Sequence, residues 1–542
     1  MGREEYDILV KNGIIIDGTG APYFKGDIGI RNGRIIRVGC NLRGDAAKVI
    51  DASGLVVAPG FIDIHSHSDF TILAIPTADS LVMQGVTTAV VGNCGMSMAP
   101  VNPANLDLLK RYLGPFLVPG FDYGWDWRTL GEFYKKVEER GTSVNLAPLV
   151  GQGTIRIAVK GFDPSKPTKE ELDEMKELLR GAIRDGAWGL SAGLIYPPGS
   201  YTTTEELIEL VKVLKEFPAR LIFTVHIRNE GDRLMESVEE VITIAERTGV
   251  PAEISHHKAV GKRNWGKVTA TLREIERARR RGVEVNCDVY PYIAGSTTIM
   301  ASLPGWVLEG GVEKALERLR DKEVRKRIRE DIEKDKFEQG ENWIKLCGWD
   351  GIYIASCPSA PEYEGKSLKE ILSKWEDPYE GFFEFLLRIR GNAAVILFYG
   401  DEEDMETILR NPVSCIGSDS WTTAPQLGGK PHPRAYGTFP RVLGRYVREK
   451  KVLSLEEAIR KMTSLPAGKL GLQDRGLIRE GFWADILIFD PNTVTDRATY
   501  QDPHQFPEGI HYVIVNGQIV VEKGKHTGKL PGKVLRNPLY KH

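Results

Sequence analysis

The 542-residue chain predicts an α/β fold: a (β/α)8 TIM-like barrel with a small β-sandwich built from both termini and a helical insertion late in the barrel. Three observations predict it. Short apolar runs punctuated by Asn-Gly and Asp-Gly open and close the chain, which is hairpin patterning. Between them, β-branched runs alternate with amphipathic stretches, the rhythm of a parallel α/β sheet or barrel. One interval in that rhythm, from Asp288 to Asp419, is far longer than a single crossover needs.

The elements follow in order. Tyr6-Asp7-Ile8-Leu9-Val10, Asn12-Gly13, Ile14-Ile15-Ile16, Asp17-Gly18 and Asn32-Gly33 read as strands and turns, and Ala484–Asp490 and 512–521 repeat the pattern around Asn516-Gly517. Residues 1–58 and 476–542 are therefore assigned to one sandwich, and 59–475 to the barrel. Strands are expected to end near His65, Cys94, Leu149, Leu194, His226, His256, Asp288 and Asp419. Thr168-Lys169-Glu170-Glu171, Thr203-Thr204-Glu205-Glu206 and Ser237-Val238-Glu239-Glu240 fit the capping box that opens a helix. The insertion, at about 298–390, holds Trp306, Trp343, Trp349, Tyr353 and a run of alternating charge at 318–336, which reads as a solvated helix laced with ion pairs. Beside the C-terminal face of the barrel, such an insertion is expected to act as a lid or to supply substrate contacts.

Composition narrows the function classes. Lys+Arg 72 against Asp+Glu 74 gives no electrostatic basis for a nucleic-acid or anionic-membrane partner. The N-terminal stretch through Tyr6 is charged, no apolar run reaches the length of a membrane span, and the six cysteines include no Cys-x-x-Cys pair. A cytoplasmic protein with a small-molecule substrate is expected; oligomeric state has no signature in the residues.

The chemistry sits at the expected strand ends. Gly60-Phe61-Ile62-Asp63-Ile64-His65-Ser66-His67-Ser68-Asp69 places two histidines two residues apart, so on a strand both imidazoles face one way and can share a metal ion. Cys94, His226, His256 and Asp419 end other candidate strands. Singly, each has an ordinary explanation: an inert buried thiol, a hydrogen-bonded core histidine, an aspartate capping a turn. Together, at the strand ends where barrel enzymes gather catalytic groups, they point to one metal site. Of His256 and His257 only one can face the barrel axis. Lys258 shares the face of His256, where a cation suits a substrate carboxylate.

These motifs, with Gly92-Asn93-Cys94-Gly95, His226-Ile227-Arg228, Ser255-His256-His257-Lys258, Asp288-Val289-Tyr290-Pro291-Tyr292, Gly417-Ser418-Asp419 and 432–440, resemble the amidohydrolase superfamily over nearly the whole chain. Within it the chain looks like the N-acyl-D-amino-acid deacylases (D-aminoacylases). Hydantoinases and dihydroorotases carry a carboxylated lysine on the fourth strand; the fourth-strand candidate here, 189–198, has none, and Cys94 supplies the thiolate of the D-aminoacylase branch. The resemblance implies zinc, with Cys94, His226 and His256 holding the tighter ion and His65 and His67 a second, weaker one. It implies water activated for attack on an amide, with Asp419 accepting the water proton and returning it to the leaving amine. It adds Tyr196, Tyr290 or Tyr292, and Ser296 as substrate contacts, and D stereochemistry. Arg228 and Arg434 could serve substrate or pair with acidic neighbours. Two rival readings stand beside it: a cyclic amidase of hydantoinase or dihydroorotase type, against which the missing lysine counts, and a non-catalytic scaffold, against which the full ligand set counts.

Overall fold

The computed structural model describes residues 4–541. Residues 1–3, the start of the charged N-terminal stretch, and residue 542 lie outside them.

Eight parallel strands form the expected ring. Phe61–Asp63, Val86–Val91 and Asn145–Pro148 pair in that order, and Val150–Gly151 continues the third strand onto Gly189–Gly193. Ile222–His226, Ala252–Ile254, Val285–Val289 and Ser414–Ile416 follow, each beside its predecessor. The eighth strand closes on the first through backbone bonds of 2.7 Å, from Asp419 N to His65 O and from His67 N to Ser420 O. The Asp63 carboxylate reinforces the seam, accepting from Ser418 N at 2.8 Å and from its hydroxyl at 2.5 Å. Every residue of these strands is buried, as in parallel sheets covered on both faces.

The helices mostly start where their caps are written. Thr168 and Glu171 form a complete capping box on Lys169–Arg184, and Thr203 accepts from Glu206 N to start Thr204–Lys212. Ser237 differs: it lies inside Leu234–Thr248. Asn229 takes over the start, its side-chain oxygen accepting from Gly231 N and Arg233 N, while the Ser237 hydroxyl bonds Arg233 O and accepts from Asn229 N.

At the termini, five strands that precede the barrel and four that follow it pair into one sheet, joined where Ile486–Phe489 runs antiparallel to Val56–Pro59. Isoleucines from both ends, among them Ile8, Ile28, Ile486 and Ile514, share its core. Asn32-Gly33 and Asn516-Gly517 make the expected turns, all four residues at positive φ. Asn12-Gly13 does not. It falls at a register shift inside the long strand Glu4–Ile15, so its positive φ builds a bulge instead of reversing the chain.

The insertion extends on both sides of the expected 298–390 and is not purely helical. Ala294–Thr298, Ala394–Phe398 and Ile352–Ser356 form a three-stranded antiparallel sheet, as the β-branched runs Ile352-Tyr353-Ile354 and Val395-Ile396 favour. The charged run forms the helix Lys322–Glu333, capped by Asp321, just after the helix Val312–Arg318. Its arginines also reach a neighbouring helix, Pro378–Arg388: Arg325 pairs with Glu380 and Glu384, and Arg329 with Asp377 at its cap.

Candidate metal centre

Three of the residues singled out at strand ends have left-handed backbones: Cys94 (φ 52°), His256 (φ 37°) and Asp419 (φ 49°). Non-glycine residues adopt this conformation at a cost, and its gathering around one point is characteristic of functional sites. The local sequence accommodates it. A Cβ on Gly193, at the end of the fourth strand, would stand 2.1 Å from the Cys94 carbonyl oxygen, and one on Gly417 would stand 2.7 Å from His65 Cβ. The fourth strand thus presents bare glycine backbone to Cys94.

The side chains converge. Cys94 Sγ lies 3.3 Å from His65 Nε2 and 3.6 Å from His256 Nε2. Asp419 Oδ1 lies 3.3 Å from His65 Nε2 and 3.2 Å from His67 Nε2. The His226 ring stands 4.3 Å from that of His256, centroid to centroid, and both its nitrogens are buried without a hydrogen-bond partner. Tetrahedral zinc, with Zn–S near 2.3 Å and Zn–N near 2.0 Å, sets sulfur and nitrogen ligands about 3.5 Å apart. The spacing fits, and the His226 imidazole makes no hydrogen bond, its Nε2 only approaching the Glu230 carboxylate at 3.7 Å. The thiolate stands between the two histidine pairs, within reach of His65 as well as His256, instead of belonging to one pair.

Electrostatics agree. Burial alone would push the Cys94 thiol up, but His65 and His256 outweigh it and hold the group well below its ordinary value. Burial would likewise raise the Asp419 carboxyl; Arg434 and His256 keep it far down. Burial disfavours a charged His67, yet Asp419 and Cys94 lift its imidazole to about 9.

Around these donors stand groups that orient them. Asp288 accepts from His256 N at 2.8 Å and meets His65 Nδ1 at 3.3 Å. Glu230 lies 3.1 Å from His256 Nδ1 and accepts from Lys258 Nζ at 2.7 Å. Carboxylates on the far nitrogen of a metal-binding histidine fix its tautomer and ring orientation. Glu341, from the insertion, in turn accepts from the backbone N–H of Glu230 and Gly231 at 2.6 and 3.0 Å. Arg434 NH1 bonds Asp419 Oδ2 at 2.6 Å, leaving Oδ1 to the histidines.

The Amidohydrolase family model matches residues 48–329 and 382–521. This chain is a member of the amidohydrolase family. It is 35% identical to the N-acyl-D-glutamate deacylase of Alcaligenes xylosoxydans xylosoxydans, covering 98% of this chain and 97% of that protein. The crystal structure of N-acyl-D-glutamate deacylase from Bordetella bronchiseptica, complexed with zinc and a phosphonate inhibitor mimicking the tetrahedral intermediate, matches at TM-score 0.82 and 36% identity over 98% of this chain and 100% of that one. A D-aminoacylase structure described as having a binuclear metal centre, with one-metal activation and second-metal attenuation, matches at TM-score 0.82 and 34% identity over 98% and 100%.

In this amidohydrolase, Tyr196, Tyr290, Ser296 and Lys258 line the cavity with His67, Cys94, His226, His256 and Asp419. Lys258 Nζ donates to Glu230 at 2.7 Å and stands 2.7 Å from His256 Nδ1, and it keeps donor capacity for a ligand. Tyr292 is not brought to this cavity; its ring packs against His432 and the Arg441 guanidinium, because the Tyr290-Pro291-Tyr292 turn sends the two phenols apart. His257 bonds Thr271 and is structural, and Arg228 is occupied by Glu240 and two carbonyls. Sequence reading gave no role to Glu230, Asp288 or Tyr399, whose hydroxyl bonds that of Tyr290. Asp288 ends a strand and could have been found by the rule that found Asp419. Glu230 and Tyr399 stand beyond strand ends, where no spacing marks them.

Proposed function

We propose that this chain is a zinc-dependent hydrolase that cleaves the amide bond of N-acyl-D-amino acids to a carboxylate and a free D-amino acid. The observation that carries this reading is Cys94 among four histidines, with no lysine on the fourth strand, Gly189–Gly193. Near end-to-end likeness to proteins named N-acyl-D-glutamate deacylase and D-aminoacylase supports it.

Cys94, His226 and His256 would hold the tighter zinc, and His65 and His67 would serve a second, weaker position. Zinc bound here supplies a Lewis acid that activates water and polarises the scissile carbonyl. Asp419 takes the water proton on Oδ1, the oxygen not clamped by Arg434, and delivers it to the departing nitrogen. Lys258 offers an N–H to the substrate carboxylate, assisted by Tyr196, Tyr290 and Ser296 on the cavity wall.

The test is a panel of N-acetyl-D-amino acids, their L enantiomers and dihydroorotate, assayed on zinc-loaded enzyme. Hydrolysis of the D compounds alone is expected. Turnover of dihydroorotate, or of the L series at equal rate, would replace this reading.

A further inference from the structure

The motif at 432–440 brings Arg434 to the metal centre, yet its first residue, His432, has no part in the chemistry described above. His432 is buried, and its ring joins two segments far apart in the sequence. Its Nδ1 accepts from Arg434 N at 3.0 Å, and its Nε2 meets Ala294 O at 2.9 Å. An N–H facing one ring nitrogen and a carbonyl facing the other select the neutral imidazole with its proton on Nε2. Burial and the Arg434 guanidinium both disfavour a charged ring and hold it well below the usual histidine range. Tyr292 and Tyr500 pack T-shaped against the imidazole, each 5.1 Å away between centroids, and the Tyr500 hydroxyl stands 3.5 Å from Nε2.

Each joined segment delivers a group to the cavity. Arg434 fixes Asp419 Oδ2, and its guanidinium lies 4.7 Å from the centre of the Tyr290 ring. Ala294 opens the strand Ala294–Thr298, whose Ser296 and Thr297 line the cavity. Arg434 NH2 reaches Ser296 O at 3.4 Å, so His432, Arg434 and this strand close a circuit of contacts. We propose that His432 is a positioning residue for hydrolysis: through Nδ1 it sets Arg434 on Asp419, and through Nε2 it sets the strand that presents Ser296 to substrate. It acts only through these neighbours, since it does not line the cavity itself. This rests on the deacylase reading, which gives Asp419 and Ser296 their roles.

Two substitutions separate the two bonds. His432→Asn keeps an acceptor near the place of Nδ1 but is too short to reach Ala294 O. His432→Gln reaches that carbonyl with its amide N–H and gives up the nearer acceptor. Both are assayed zinc-loaded, on the N-acetyl-D-amino acid that the parent hydrolyses fastest. His432→Asn is expected to raise KM about 10-fold and keep kcat within about threefold. His432→Gln is expected to lower kcat about 10- to 100-fold and keep KM within about threefold, the scale on which a small misplacement of a reacting group acts. His432→Phe, which fills the space and makes neither bond, should show both effects. All three should carry the parent's zinc content on metal analysis. Parental kinetics in His432→Phe, the same change in His432→Asn as in His432→Gln, loss of zinc, or failure of all three to fold would overturn the proposal and leave the deacylase reading intact. If the parent hydrolyses no N-acyl-D-amino acid, the deacylase reading fails and this proposal fails with it.

Discussion

The two oxygens of Asp419 do different work: Arg434 fixes Oδ2 at 2.6 Å, and Oδ1 is turned to His65 and His67. Asp419→Asn keeps the size and the clamp but cannot accept a proton. It is expected to retain zinc on metal analysis and to lose at least about 100-fold in kcat, the lower range for a general acid-base group. Near-normal turnover would remove Asp419 from that role. Glu230 acts one step further out. Glu230→Gln should weaken zinc binding about 10- to 100-fold in competition with a chelator, the usual effect of losing a carboxylate behind a histidine ligand. At this scale the sequence was readable where a strand end announced a side chain, as for Cys94 and Asp419. It was silent on Glu230, placed by a loop that Asn229, Ser237 and Glu341 together hold in shape.

Single elements are locked by buried or half-buried ion pairs. Lys469, in the helix Ser464–Leu470, bonds Glu253 on the sixth strand at 2.8 Å, Cys287 O on the seventh at 3.2 Å and Val413 O beside the eighth at 2.8 Å. It thereby ties three neighbouring strands together at the end away from the metal centre. Lys469→Met leaves Glu253 buried without its partner and should cost about 3–5 kcal/mol in denaturant unfolding. Between helix Glu402–Arg410 and segment Val442–Glu449, Glu402 pairs with Arg445 and Lys450. Burial would raise its carboxyl, but hydrogen bonds from Arg445 and Lys450 bring it down to about 2. A lowered carboxyl contributes stability that is complete above its ordinary value of 4.5 and lost as pH falls towards 2. Glu402→Gln should therefore lower Tm at pH 7 and approach the parent protein at about pH 2; an equal deficit at both pH values would contradict the pairing. The caps at Thr168 and Thr203 were legible because caps are local. Ser237 misled because an Asx turn at Asn229 starts the same helix earlier, and Asn12-Gly13 misled because positive φ serves a bulge as readily as a turn.

For the molecule as a whole, the barrel places its donors and the insertion completes the enclosure. The Asp63–Ser418 seam brings His65 and His67 to Asp419 from opposite ends of the sequence. Gly295, Ser296, Thr297, Trp343, Leu397 and Tyr399 of the insertion then wall the cavity. The ring of strands was legible because β-branched runs recur at regular intervals. The antiparallel sheet inside the insertion was not anticipated, since dense alternating charge drew the reading towards helix. Among the described residues no helix is long and apolar enough to cross a membrane. Strip the protein of metal with a chelator, add zinc stepwise, and follow hydrolysis of an N-acetyl-D-amino acid. Activity should be absent in the metal-free protein and return with the first equivalent of zinc, with no such return in Cys94→Ser. Full hydrolysis by metal-free protein, or an unaltered titration in Cys94→Ser, would contradict a zinc deacylase built on this thiolate.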